Sequence, residues 1–361
     1  MSEKRKRILK LLEEGQITSD EADRLLSESE ETEAEKNRQK NTGEGYTQER
    51  FKQDVRSFTE GVKNFLDDTF QRIKDGPFEF NFQQMDIHRK YTFPVSEVNH
   101  LDFDLFNTTL EFLPIRSSEI VIDCKAKVYK ENDQQKAEEY FDRHANIGLV
   151  EDTLRFETNN KNIQTKLVIY LPKKKYDKVS FKAMNGSMKF LSTHFEQASI
   201  STINGSITMD QYTGDALYVE TKHGSIKLDD AEFNKAKLAA TTGSVYVDGS
   251  MEDLDIYVVT GSVRNYIRNQ QVKSLAVEAM TGSIQVYMPG DIPVIGSANT
   301  SIGNVDIQLK DVMKTNMDEH LMKKQVQFHN TDGEGEYFDI DLSTKTGSIK
   351  VNPIIDKKEN D

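Results

Sequence analysis

Apolar side chains recur along the second half of the chain in columns that keep a fixed distance from a repeated glycine. The glycines are Gly186, Gly205, Gly224, Gly243, Gly261, Gly282 and Gly347, each preceded by Asn, Thr or (once) His and followed by Ser. The first six are 19, 19, 19, 18 and 21 residues apart, and the last follows a longer gap. Seven residues before each glycine stand Val179, Ala198, Leu217, Ala236, Leu254, Leu275 and Ile340. Five before stand Phe181, Ile200, Val219, Leu238, Ile256, Val277 and Leu342, and three before are only small or β-branched residues (Ala183, Thr202, Thr221, Ala240, Val258, Ala279, Thr344). This alternation of period two predicts a half-buried strand. After the glycine the apolar columns fall two residues on (Met188, Ile207, Ile226, Val245, Val263, Ile284, Ile349) and, in most repeats, four residues on (Phe190, Met209, Leu228, Val247, Val286, Val351). The buried phase therefore slips by one residue across the Gly-Ser step. A straight strand would turn its second half outward, whereas a corner at glycine absorbs the slip. Each repeat reads as strand, Gly-Ser corner, strand, loop.

A period near 19 residues is too short for paired helices and suits one coil per repeat. The predicted fold is mainly β: a single-stranded β-helix, or β-solenoid, of about 19-residue repeats, joined to a small N-terminal helical hairpin and an amphipathic helix. In stacked coils the residues before the glycines (Asn185, Asn204, His223, Thr242, Thr260, Thr281, Thr346) and the serines after them form polar ladders. The fifth repeat departs from the pattern, because Asn265 replaces an apolar residue. A bulge or a shortened second strand is expected there. Gly249 and Gly296 fall outside the register and read as loops. Leu101, Phe103 and Leu105, then Leu110 and Phe112, show the same slip around Asn107-Thr108-Thr109 and read as a degenerate opening rung. An insertion at 131–146 suggests a short helix from Gln134 to His144. A second insertion, at 311–336, precedes the last rung.

The domain boundaries follow from changes in pattern. Residues 1–28 read as a helical hairpin, with Gly15 between its helices and Thr18 and Glu21 forming a capping box. Residues 29–47 read as a flexible polar linker. Residues 48–76 carry Phe51, Val55, Phe58, Val62, Phe65, Leu66, Phe70 and Ile73 at helical spacing, with Gly76 and Pro77 at the end. This amphipathic helix suits three roles: capping a solenoid end, self-association or partner binding, and lipid contact. The solenoid domain spans 78–355, and 356–361 is a polar tail.

Charge and candidate chemistry narrow the function. A net charge of −13 disfavours general affinity for nucleic acid. The single cysteine, Cys124, leaves no intrachain disulfide framework. No run approaches the length of a membrane-spanning helix, and the basic start (Lys4 to Arg7) meets Glu13 and Glu14 too soon for a signal peptide. The expected location is the cytoplasm, with a peripheral position at the membrane allowed and a surface location requiring a non-standard export route. Asp210, Asp229 and Asp248 each stand five residues after a glycine. Stacking would place them in a column about 5 Å apart, able to hold a cation or raise a pKa. The plainer explanation is that aspartate suits the turn after a strand, and no His or Arg shares its phase. His88, His100, His144, His194, His223, His320 and His329 are scattered, without metal-ligand spacing on one element. Ser187 has a counterpart in every repeat, unlike a catalytic serine. No catalytic, cofactor-binding or metal residue is assigned, and no cofactor is expected.

The hairpin segment Ile8–Gly15 with Ile17–Leu26 resembles the N-terminal domain of the YvlB/LiaX family of bacteria. The Thr/Asn-Gly-Ser-Ile/Val repeats, with Thr300-Ser-Ile-Gly-Asn-Val305, resemble the β-strand repeat domain labelled as adhesin-like. The two domains occur together in that family, so the resemblance covers both ends of the chain. It implies a non-enzymatic interaction protein of the cell-envelope stress response, with membrane-associated protein partners. The alternative from the repeats alone is a polysaccharide-binding or -cleaving β-helix.

Overall fold

The computed structural model describes residues 84–129, 131–320, 323–331 and 336–354. The expected hairpin (1–28), linker (29–47), amphipathic helix (48–76) and tail (356–361) lie outside these residues.

The architecture is mainly β and solenoid-like. Strands preceding the corner, such as Lys175–Asn185, His194–Asn204 and Thr213–His223, pair in parallel with their counterparts one repeat away. The register runs Asn185, Asn204, His223, Thr242, Thr260, Thr281 and Thr346, so the columns read from the sequence stack in space. Every residue of the inward columns is buried, on both sides of the Gly-Ser step.

Two constraints converge on glycine at the corner. Gly186, Gly224, Gly243, Gly261, Gly282 and Gly347 have φ between +130° and +155°, a region L side chains rarely adopt. A Cβ on any of the seven repeat glycines would also lie within 2.1 Å of a backbone carbonyl oxygen in the adjacent coil. The flanking polar residues form the expected ladders. Asn204 Nδ2 donates to Asn185 Oδ1, and Asn185 Nδ2 to Asn107 Oδ1, each at 2.7 Å. The serine hydroxyls instead accept from the next serine's backbone N–H: Ser206 to Ser187 at 3.2 Å, Ser225 to Ser206 at 3.1 Å, Ser244 to Ser225 at 3.2 Å. Inside the corner, buried Thr221 and Thr344 donate to the carbonyls of Gly205 and Gly282. Polar groups at the bend are thereby satisfied without water.

Four sequence expectations are corrected. The Asn265 coil is neither bulged nor short: Val263–Ile267 pairs in register on both sides, with Asn265 between Val247 and Val286. Gly249 and Gly296 lie in strands rather than loops, at positions where a side chain has no room. A Cβ at Gly249 would meet the Ala231 carbonyl, and one at Gly296 the Phe328 ring. The expected loop is, in three coils, a second corner at the left-handed residues Ser192, Gln211 and Asp230 (φ 50°, 56° and 50°). Residue type hides this corner, since none of the three is glycine.

The fourth correction concerns stacking order. Gly347 is last in sequence but not in the stack. Its strand Phe338–Thr346 pairs with Ser274–Thr281 on one side and with Val294–Ile302 on the other. Gly303 lies against the Gly347 carbonyl, so Thr300–Val305 belongs to a further coil that the sequence reading did not count. The opposite end has the same device. The Asn107-Thr108-Thr109 corner is a rung, with the Thr108 carbonyl against Gly186. However, its strand His100–Ile115 is inserted between the Gly186 coil and the later strands Thr153–Thr158 and Ile163–Pro172. Antiparallel strands close both ends: Glu119–Val128 and Met85–Pro94 at one, Lys323–His329 and Met313–His320 at the other. Met85–Pro94 and Met313–His320 are thus the outermost described strands at the two ends. The expected helix Gln134–His144 is present, capped by Asp133 accepting from the Lys136 N–H.

The core changes along the axis. Phe103, Phe112, Phe156, Phe181, Phe190 and Phe195 pack with ring centroids 4.9–6.3 Å apart at the N-terminal end. Valine, isoleucine and leucine predominate in the later coils, with Phe233, Phe328 and Phe338 also buried.

Candidate binding surface

The short strands after each Gly-Ser corner form one face of the solenoid, with outward residues three and five positions after the glycine. Asp210, Asp229 and Asp248 lie on this face. Asp210 and Asp229 are in register on adjacent coils. Pairing between the Asp229 and Asp248 coils then shifts after Leu228, so the column is not straight.

The carboxylates are matched by cations. Lys227 Nζ donates to Asp229 Oδ2 at 2.6 Å. That bond raises the Lys227 pKa, and nearby Asp229, Asp210 and Asp248 add to it. Arg268 grips Asp248 with both arms, Nε to Oδ1 at 2.5 Å and Nη2 to Oδ2 at 2.6 Å. Tyr246 OH also donates to Asp248, at 3.3 Å. No arginine shares the aspartates' phase, but Arg268 reaches the column from just beyond the strand of the next coil, outside the phase that the spacing tests. Asp229, Asp248 and Arg268 line an open groove of about 540 Å³ together with Gln211, Thr213 and Glu232. Both of its column aspartates, Asp229 and Asp248, are held by cations as structural ion pairs rather than left free as an acid–base set.

A feature missed in the sequence is a tyrosine ladder. Tyr266 and Tyr287 stack with centroids 4.5 Å apart and planes 8° from parallel, and Tyr246 lies 5.8 Å from Tyr266. Lys227 covers Tyr246 at 5.5 Å and Arg268 covers Tyr266 at 5.4 Å. The outward columns contained the signal, since Tyr246 stands three and Tyr266 and Tyr287 five residues after a glycine. Most ring faces are occupied by each other and by cations, which leaves mainly edges and hydroxyls for a ligand.

The remaining candidates are dispersed. His88 bonds Asp123 at 2.7 Å, His144 bonds the Tyr140 carbonyl, and His223 occupies its place in the ladder between Asn204 and Thr242. No group of three or more His, Cys, Asp or Glu among the described residues is placed to hold a metal ion. No described helix is long and apolar enough to cross a membrane. Ser187 is a ladder acceptor. Cys124 is fully buried, and burial pushes its thiol up to about 12. In native protein at pH 8 it is expected to resist iodoacetamide, and to react after unfolding in guanidinium. Rapid native labelling, followed by mass spectrometry, would show that the strand Glu119–Val128 opens.

Comparison with known proteins identifies a family. Residues 98–352 match the family model described as Toastrack DUF4097, and residues 3–34 match a SHOCT-like domain. YvlB of Bacillus subtilis (strain 168) is 22% identical over 360 residues, covering 97% of this chain and 99% of that protein. A candidate adhesin of known structure from Bacteroides fragilis is 12% identical, covers 75% of this chain and 97% of its own, and has a TM-score of 0.40. A candidate lipid-binding protein from Parabacteroides distasonis is 10% identical over 74% of this chain and 97% of its own, with a TM-score of 0.32. With more than two thirds of its length covered by that family model, the chain belongs to the Toastrack (DUF4097) family.

Proposed function

We propose that this chain is a non-enzymatic interaction protein of the bacterial cell-envelope stress response. It acts through its solenoid surface and N-terminal hairpin on membrane-associated protein partners. The solenoid, read as a single-stranded β-helix, is the rigid platform, and residues 1–28, linked through 29–47, are the detachable reader. The working location is the cytoplasm, at or near the inner membrane surface. One observation supports the non-enzymatic part: four successive repeat serines, Ser187, Ser206, Ser225 and Ser244, the nucleophile type of the repeat, are spent as ladder acceptors from coil to coil. The envelope-stress part is what the resemblance to the YvlB/LiaX family implies.

Two chains test it: the full-length protein and one lacking residues 1–47. Immobilised on beads with detergent-solubilised native membranes, the full-length chain is expected to retain a defined membrane protein and the shortened chain to lose it. Retention of no membrane protein by either chain would overturn the proposal.

The groove beside Asp248 and Arg268 supports the second reading, a polysaccharide site. Replacing Asp210, Asp229 and Asp248 together by Asn is expected to leave glycan-array binding unchanged. A glycan bound by the natural chain and lost by the triple variant would favour the polysaccharide reading instead.

A further inference from the structure

We infer that the N-terminal flank of the solenoid carries a binding groove for a linear chain bearing phosphate groups, centred on Lys125, Lys127 and Lys166. The inference does not depend on the function proposed above. It rests on an arrangement of like charges that the fold assembles from distant parts of the sequence.

Antiparallel pairing places His88 opposite Lys125, and Lys125 opposite Lys166, on three adjacent strands. Lys127 is one step along the strand face, opposite Gln164. Like charges directly opposite each other destabilise a sheet pair. Elsewhere the protein avoids this by pairing: Lys189 with Glu111, Lys227 with Asp229, Lys235 with Asp253, Lys273 with Glu252, Arg268 with Asp248. Lys125, Lys127 and Lys166 are exposed, and none forms an ion pair or side-chain hydrogen bond among the described residues. In a chain of net charge −13 with 60 acidic residues, three uncompensated lysines on neighbouring strands stand out against the composition. Asp123 is turned to His88 at 2.7 Å, and Asp86, although opposite Lys127, makes no ion pair with it.

The lysines line an open groove of about 590 Å³ together with His88, Thr109, Gln164 and one carboxylate, Asp86. The groove lies along the Gly-Ser edge. Through register, Lys166 continues the hydroxyl column past Thr109, and Gln164 continues the amide column of Asn204, Asn185 and Asn107. A ligand along this edge meets point charges at one end and hydroxyl and amide groups at the other. That suits a hydroxyl-bearing chain with phosphate groups. Lysine presents a compact point charge and is a common phosphate ligand, and the groove holds no arginine fork for bidentate pairing. The concave shape favours a narrow chain over a flat bilayer surface, while the negative charge of the whole molecule opposes both alike.

The test uses full-length protein and linear inorganic polyphosphate, followed by fluorescence anisotropy at low and physiological salt. Binding is expected to weaken with salt. K125Q/K166Q is expected to lose at least tenfold in affinity and about 1.5 from the slope of log affinity against log salt, at roughly 0.7–0.9 per lost contact. K350Q, at the far end of the same face, should stay within about twofold of the natural chain. The double variant should also melt no lower than the natural chain, because it removes opposed like charges, so lost binding would not reflect unfolding. Parallel arms contain free phosphate, polygalacturonate and vesicles of phosphatidylglycerol with phosphatidylcholine. Weak competition by free phosphate is expected of a multi-site chain. Equal polyphosphate binding by K125Q/K166Q, a preference for polygalacturonate, or binding to vesicles alone would each overturn the inference.

Discussion

Gly243→Ala is expected to abolish the folded state of the repeat domain. The added Cβ would lie 1.8 Å from the Gly224 carbonyl oxygen, at a φ of +146°. Neither conflict can relax locally, because the Gly243 N–H is itself bonded to the Thr260 carbonyl at 2.9 Å and both flanking coils are held in register. The strained backbone alone costs about 1–3 kcal/mol. Forcing two paired backbones apart raises the total above about 4 kcal/mol, a large part of the ~5–15 kcal/mol that stabilises a typical domain. Gly148→Ala is the control, since nothing lies within 4 Å of a Cβ there. Circular dichroism under urea is expected to show native-like unfolding for Gly148→Ala and no cooperative transition, or a far lower midpoint, for Gly243→Ala. Matching midpoints would remove the steric basis of the corner.

Asn265→Val is expected to stabilise the protein. Asn265 is fully buried, and neither Oδ1 nor Nδ2 has a partner. Its neighbours in the column are Val247 and Val286. An unpartnered buried polar group costs about 1–3 kcal/mol. Valine removes that cost and continues the aliphatic column, so the melting temperature should rise by several degrees, at about 2–4 °C per kcal/mol for a domain of this size. Asn265→Asp should do the reverse, because it buries a charge without a counterion. A valine variant less stable than the natural chain would mean that the amide has a bonding partner, such as a trapped water.

The coil and its buried columns were legible in the sequence because they are local: one corner, two strands and a spacing that repeats. Asn265 showed as an exception in its column, but the expected bulge was wrong. The parallel pairing on both sides holds that strand in register whatever the side chain at its centre. The second corner was hidden because Ser192, Gln211 and Asp230 share a backbone conformation and not a residue type. What depends on distant pairing was invisible. Arg268 meets Asp248 only through stacking, and His88, Lys125 and Lys166 become neighbours only when antiparallel strands close the N-terminal end. Stacking order at both ends was misread for the same reason, since adjacency in sequence was taken as adjacency along the axis.

The central claim is the stack itself, including the insertion of the last strand between two earlier coils. Engineered cysteine pairs test it directly under mild oxidation. Thr281 and Thr346 are register partners on adjacent strands, whereas Thr281 and Ile302 lie two steps apart, about 9.6 Å at strand spacing and beyond the ~7 Å reach of a disulfide. T281C/T346C is expected to form an intrachain disulfide and T281C/I302C to remain reduced. The opposite result, a bond in T281C/I302C and none in T281C/T346C, would place the coils in plain sequence order and contradict the fold described.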